Sequence, residues 1–172
     1  MASDDAIARL ARQIEGDART HRPSLLQLED VTRMRRGGAA ELHSICAEFV
    51  ASVNNQLSSR ALELAPAEYT PDSFHDAGTN LIQISSRGRL VQIAFSATRE
   101  LSSTEKHVIP YILEGEVRTY NQEMLERFDV HSLGLFYCVE EKQNVWRYSD
   151  WLRNRNGAFG RTLLVDLMGN LF

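Results

Sequence analysis

Two lysines stand against seventeen arginines in the 172 residues, cysteine occurs twice, and no apolar run approaches the roughly 18 residues that a membrane-crossing helix needs. Each shortage excludes something. Cys46 and Cys138 are too few for a disulfide framework and no Asn-x-Ser/Thr sequon accompanies them, so both are expected buried and reduced. A formal net charge of −4 argues against a general polyanion-binding surface, which leaves only local contacts to any nucleic acid. The opening MASDDAIARL is acidic where a secretory leader would be basic and then apolar, so a cytoplasmic chain without a membrane segment is expected.

Catalytic patterns are missing as well. There is no G-x-S-x-G elbow, no H-E-x-x-H, no C-x-x-C and no dinucleotide-binding glycine pattern. The histidines, at 21, 43, 75, 107 and 131, fall in five separate segments. His43 and Cys46 lie one helical turn apart, but Cys46 sits on an apolar stripe and no second ligand pair at metal spacing exists. Glu114 and Glu116 share one strand face with Arg118 two residues on. Acid–base work needs two carboxyls in unlike environments, whereas neighbours on a wet face form an exposed, salt-bridged ladder. The expectation is therefore no catalytic residue, no metal and no cofactor.

What is present is a balance of 43% hydrophobic and 24% charged residues, the composition of one soluble globular domain over 1–172. Residues 1–36 read as a helical N-terminal arm. Within it Ile7, Leu10, Ala11 and Ile14 make a narrow stripe behind an acidic first turn, and Pro23 then interrupts the helical pattern. The strongest helical signal spans 39–58, where Leu42, Ile45, Cys46, Phe49, Val50, Val53 and Leu57 share one face opposite Glu41, Ser44, Glu48 and Ser52.

From residue 61 to 151 the period falls to two. LIQISSRGRLVQIAFSAT alternates on both sides of Arg87-Gly88, a two-residue hairpin loop in which Gly88 supplies the positive φ. VIPYILEGEVRTY alternates through Ile109, Tyr111, Leu113 and Val117, NQEMLERF suggests a helical turn, and LGLFYCVEEKQNVWRYSDW suggests a hairpin around Glu141 to Asn144. Residues 161–172 close as a helix with Leu163, Leu164, Leu167, Met168 and Leu171 inward. Helices, then sequential strands, then a helix predict an α+β domain. Its antiparallel sheet of about five or six strands would carry the helices on one face and leave the other wet.

Two basic clusters invite a ligand. Arg33, Arg35 and Arg36 precede Gly37-Gly38 at the expected start of the main helix. Glu41 would compete with an anion there, and the GxxxxGK[ST] spacing is missing, so a solvated link turned by the glycines is expected. In VWRYSDWLRNRNGAFGR, Trp146, Tyr148, Trp151 and Phe159 interleave with arginines, while Arg-Asn-Arg-Asn-Gly suggests a polar turn before the last helix. Arg147, Trp151, Arg153, Arg155 and Arg161 are the candidate binding residues, suited to a small anionic ligand or a partner surface.

The function expected of such a chain is that of a cytoplasmic binding or interaction module without catalysis, self-associating or bound to a protein partner. The alternative is a small-molecule binder or enzyme with a pocket between the curved sheet and the core helix, lined by Tyr111, Phe95 and Tyr137.

Overall fold

A computed structural model describes residues 2–20, 28–102 and 109–172. The break expected at Pro23 lies outside these residues. Helix α1, Ala2–Thr20, belongs to a first unit ending at Val31 and is described by itself; Thr32 to Phe172 form the second unit. The stripe of Ile7, Leu10 and Ile14 on α1 is solvent-exposed.

Helix α2 runs over Leu28–Asn54. It is followed by strands β1 (Glu63–Ala65), β2 (Asn80–Ser86), β3 (Arg89–Ser102) and β4 (Tyr111–Tyr120), a short helix α3 (Gln122–Glu126), strands β5 (His131–Cys138), β6 (Val145–Asp150) and β7 (Arg155–Ala158), and helix α4 (Arg161–Gly169). The fold is α+β. Its sheet is antiparallel with seven strands, not five or six, and each strand pairs with its neighbours in sequence from β1 to β7. Two of the seven, β1 and β7, are only three and four residues long, too short to carry an alternation signal. The segment expected as a polar turn at 153–157 contributes most of β7, with Arg155 opposite Asp150 and Ala158 opposite Arg147.

The Arg87-Gly88 hairpin forms as the spacing predicts. Ser86 pairs with Arg89, and Arg87 and Gly88 take φ of +48° and +79°, the two left-handed residues of a primed turn. The helical turn after Tyr120 is closed by Asn121, whose Oδ1 accepts the Met124 N–H at 2.9 Å.

One face of the sheet carries Ile82, Ile84, Val91, Ile93, Phe95, Leu113, Val117, Leu135, Tyr137 and Trp146, all buried. Helix α2 packs there through Ala39, Leu42, Cys46, Phe49 and Val50, and α4 through Leu163, Leu164, Leu167 and Met168.

The expectation of Gly37-Gly38 as a link before the helix is overturned, because both glycines lie in the interior of α2. A Cβ on Gly38 would stand 2.5 Å from the Tyr137 ring, and the Trp146 indole Nε1 donates to the Gly38 carbonyl at 2.7 Å. Close approach of helix to sheet is what this glycine provides. The neighbouring arginines are helical and engaged. Arg35 Nε donates to the Ile112 carbonyl at 3.1 Å and its Nη2 to the Thr98 carbonyl, while Arg36 pairs with Asp76 at 2.9 Å and with Asp72 at 3.6 Å.

A register shift between Tyr111 and Leu113 corrects a second expectation. The bulge places Tyr111 opposite Cys138, on the face away from α2, while Leu113 stays on the covered face opposite Tyr137.

Candidate functional site

On the outer face of the sheet the strands align polar and aromatic side chains in rows. Ser96, Glu114, Phe136 and Arg147 stand opposite one another across β3 to β6, and Ala94, Glu116, Gly134 and Ser149 form the next row. Small residues at Ala94, Ser96 and Gly134 leave this surface concave, and a groove of about 790 Å³ crosses it.

One wall of the groove is aromatic. The rings of Tyr111 and Phe136 lie 4.8 Å apart, and Phe136 meets Trp151 edge-on at 6.1 Å. Gly134 makes room for Trp151, since a Cβ there would fall 2.5 Å from the indole. Trp151 is 48% exposed, so part of the indole reaches solvent.

The floor opposite is acidic. Glu116 accepts from the Ser132 hydroxyl at 3.0 Å and pairs with Arg118. Glu114 is exposed beside Tyr111; burial first, then the charge and hydrogen bond of Glu114, push that phenol upward from its usual range. Aromatic faces with carboxylates at their edge attract a cation, because the ring quadrupole and the carboxylate charge act in the same sense.

The five residues singled out from the sequence do not assemble into one place. Trp151 lines the outer groove. Arg147 lies on the same face but its Nε donates to Glu140 at 2.6 Å, a hydrogen bond that raises the guanidinium and lowers the carboxyl. Arg153 and Arg155 line a different cleft of about 290 Å³, on the helix-covered side, with His131, Tyr148, Asp150, Asp166 and Asn170. There Asp150 is 4% exposed, accepts the Arg153 N–H at 3.1 Å and lies 3.5 Å from His131 Nε2. Two carboxylates balance the two guanidinium groups, so this cleft is not a strong anion trap. Arg161 is exposed in the first turn of α4.

Tyr111, Gly134 and Phe136 escape detection by local pattern. The available signal is in LGLFYC, where Gly134 and Phe136 are uncharged at alternation positions that β4 fills with Glu116 and Glu114. At Phe95 and Tyr137, two of the residues expected to line a pocket between sheet and core helix, that space is packed: Phe95 meets Trp146 edge-on at 5.6 Å, Tyr137 lies 5.1 Å from Trp146, and Trp146 is hydrogen-bonded to α2 above them. His43 and Cys46 serve the core. His43 Nε2 lies 2.8 Å from the Pro66 carbonyl with its ring stacked on Tyr69, and burial pushes the Cys46 thiol up to about 12. No family model, curated protein or solved structure matches this chain.

Proposed function

We propose that the chain is a binding module whose site is the outer-face groove, and that it captures a ligand carrying a positive charge beside an aromatic or aliphatic body. The observation that supports this reading most is the meeting of Tyr111, Phe136 and Trp151 with Glu114 and Glu116 in one groove on a rigid sheet. The site is read as one that binds: Glu116, the carboxylate beside the Ser132 hydroxyl, is also paired with Arg118 and is held as part of the groove's acidic floor. The two buried thiols suit the reducing cytosol.

Trp151 is a built-in reporter, because Trp146 is 1% exposed and shielded from quenchers. Phenethylamine, 2-phenylethanol and phenylacetate share a ring and differ in charge. Acrylamide quenching of Trp151 is expected to fall with the amine at concentrations about fivefold below those needed for the alcohol, and not at all with the carboxylate. Glu114→Gln is expected to erase the preference for the amine. Equal binding of all three, or none at millimolar concentration, overturns the reading.

Self-association is a second reading, supported by α1 taken by itself. Ile7, Leu10 and Ile14 recur at helical spacing and are 62%, 56% and 60% exposed, an apolar stripe suited to a second copy or a protein partner. Sedimentation of the full chain is expected to show a concentration-dependent dimer that Leu10→Glu abolishes. A monomer at every concentration rules this reading out.

A further inference from the structure

Away from the outer groove, the C-terminal end of α2, helix α4 and the β2–β3 turn enclose a second cleft of about 480 Å³. Its walls are apolar, with Phe49 and Val53 from α2, Leu62 from the segment before β1, Val165 and Met168 from α4, and Phe172 beyond it. Val165 and Phe172 are 53% and 71% exposed, so the apolar surface opens to solvent. Such a volume lies within the range of small-ligand sites.

The rim is polar and of one sign. Ser58, Ser59, Ser86 and Arg87 line it, and no acidic side chain does among the described residues. Arg89, the nearest other cation on this turn, is committed: its Nε donates to the Leu171 carbonyl at 2.7 Å and its guanidinium lies 4.2 Å from the Phe172 ring, which fixes that wall. Arg87 has no ion pair among the described residues and is exposed. Its backbone is informative too. At φ +48° it occupies the first centre of a primed turn, where asparagine, aspartate or glycine fits with less strain. The chain accepts an unfavourable residue at a turn position that lines an apolar cleft with a cation.

We propose that this cleft binds a medium-chain fatty carboxylate, the aliphatic tail lying against Phe49, Val53 and Met168 and the carboxylate meeting Arg87. Charge complementarity selects the head group and the apolar walls select the tail. The site is independent of the groove on the outer face, and either can fail without the other.

Calorimetric titration of the full chain with decanoate, decanol and decyltrimethylammonium tests the head group at constant chain length. Decanoate is expected to bind about fivefold tighter than decanol, the upper range for a solvent-facing ion pair, and the cationic amphiphile weakest. Octanoate is expected to bind more weakly than decanoate, by up to about fourfold for each methylene removed. Arg87→Asn suits the turn, so its melting temperature is expected not to fall while the decanoate-to-decanol ratio drops to near one. Val165→Trp, at a half-exposed helix position, is expected to fill the cleft and abolish binding of both. The proposal is overturned if decanoate fails to bind up to roughly 1 mM, if Arg87→Asn keeps the preference, or if a folded Val165→Trp binds decanoate unchanged.

Discussion

The indole Nε1 of Trp146 donates a 2.7 Å hydrogen bond to the carbonyl of Gly38, joining strand β6 to the middle of α2 across 108 residues of sequence. The Tyr137 ring fills the space beside it where a side chain on Gly38 would stand. Tyr137 is 5% exposed and packed on Trp146, so it cannot swing away. Gly38→Ala is therefore expected to lower stability by about 1–3 kcal/mol through overpacking. Gly37→Ala is expected to do the reverse: a Cβ there meets nothing within 4 Å, and alanine in an exposed helical position adds about 0.5–1 kcal/mol. Urea denaturation of the two variants checks the opposite signs.

Phe49 is 3% exposed on the buried stripe of α2, whereas Glu48 beside it faces solvent. Phe49→Ala is expected to cost about 3–5 kcal/mol by lost burial and a residual cavity. Glu48→Ala is expected to stay within about 0.5 kcal/mol of the parent. A loss below roughly 1 kcal/mol for Phe49→Ala contradicts the packing described for α2.

Gly88, at φ +79°, has open space around its α-carbon, so only backbone strain opposes a side chain there. Gly88→Val is expected to destabilise the fold by about 1–3 kcal/mol, and Gly88→Asn by clearly less, because asparagine tolerates the left-handed region. Equal melting temperatures for the two variants would remove the strain argument.

Alkaline pH separates the buried phenols from exposed ones. Burial, with the Glu41 carboxylate accepting from the hydroxyl at 3.4 Å, pushes Tyr137 up to about 12; burial alone does the same for Tyr69. The unfolded chain ionises its tyrosines near about 10, so it releases protons that the folded chain keeps. The stability of these groups is complete below pH 10 and is lost as pH rises from 10 through about 12. Buried Cys46 and Cys138, also pushed up to about 12, begin to act in the same direction from about pH 9. Between pH 10 and 11, Tyr137→Phe is expected to lose less stability than the parent. Parallel loss in both would show that Tyr137 is not the group titrating.

Periodicity made several elements legible: the apolar stripe of α2 from Leu42 to Val53, the alternation of β2 and β3, the turn at Arg87-Gly88, and the inward leucines of α4. Where the sequence misled, the deciding contact was remote. Gly37-Gly38 resembles a break because local propensity penalises glycine in helices, and only Tyr137 and Trp146, a hundred residues on, give Gly38 its reason. Tyr111 follows the inward alternation by count, and a bulge that no local residue announces turns it outward. The arginines flanking Tyr148 and Trp151 form a cluster in sequence, yet the path of β6 and β7 sends Arg147 to Glu140 and Arg153 and Arg155 to another cleft. Trp151 alone of that set reaches the groove, placed by Gly134, and a glycine inside a strand names no partner until strands are paired.

The sheet narrows at its two ends. Interior strands reach 14 residues, but the outermost pair has three and four, with Pro66 directly after β1. A bare strand border is a template on which another chain can add by main-chain hydrogen bonding. Borders this brief offer few adjacent amides and carbonyls, and proline removes one of the donors that would extend the ladder. A long meander thereby gains protection against fibrous stacking from the brevity of its border strands alone.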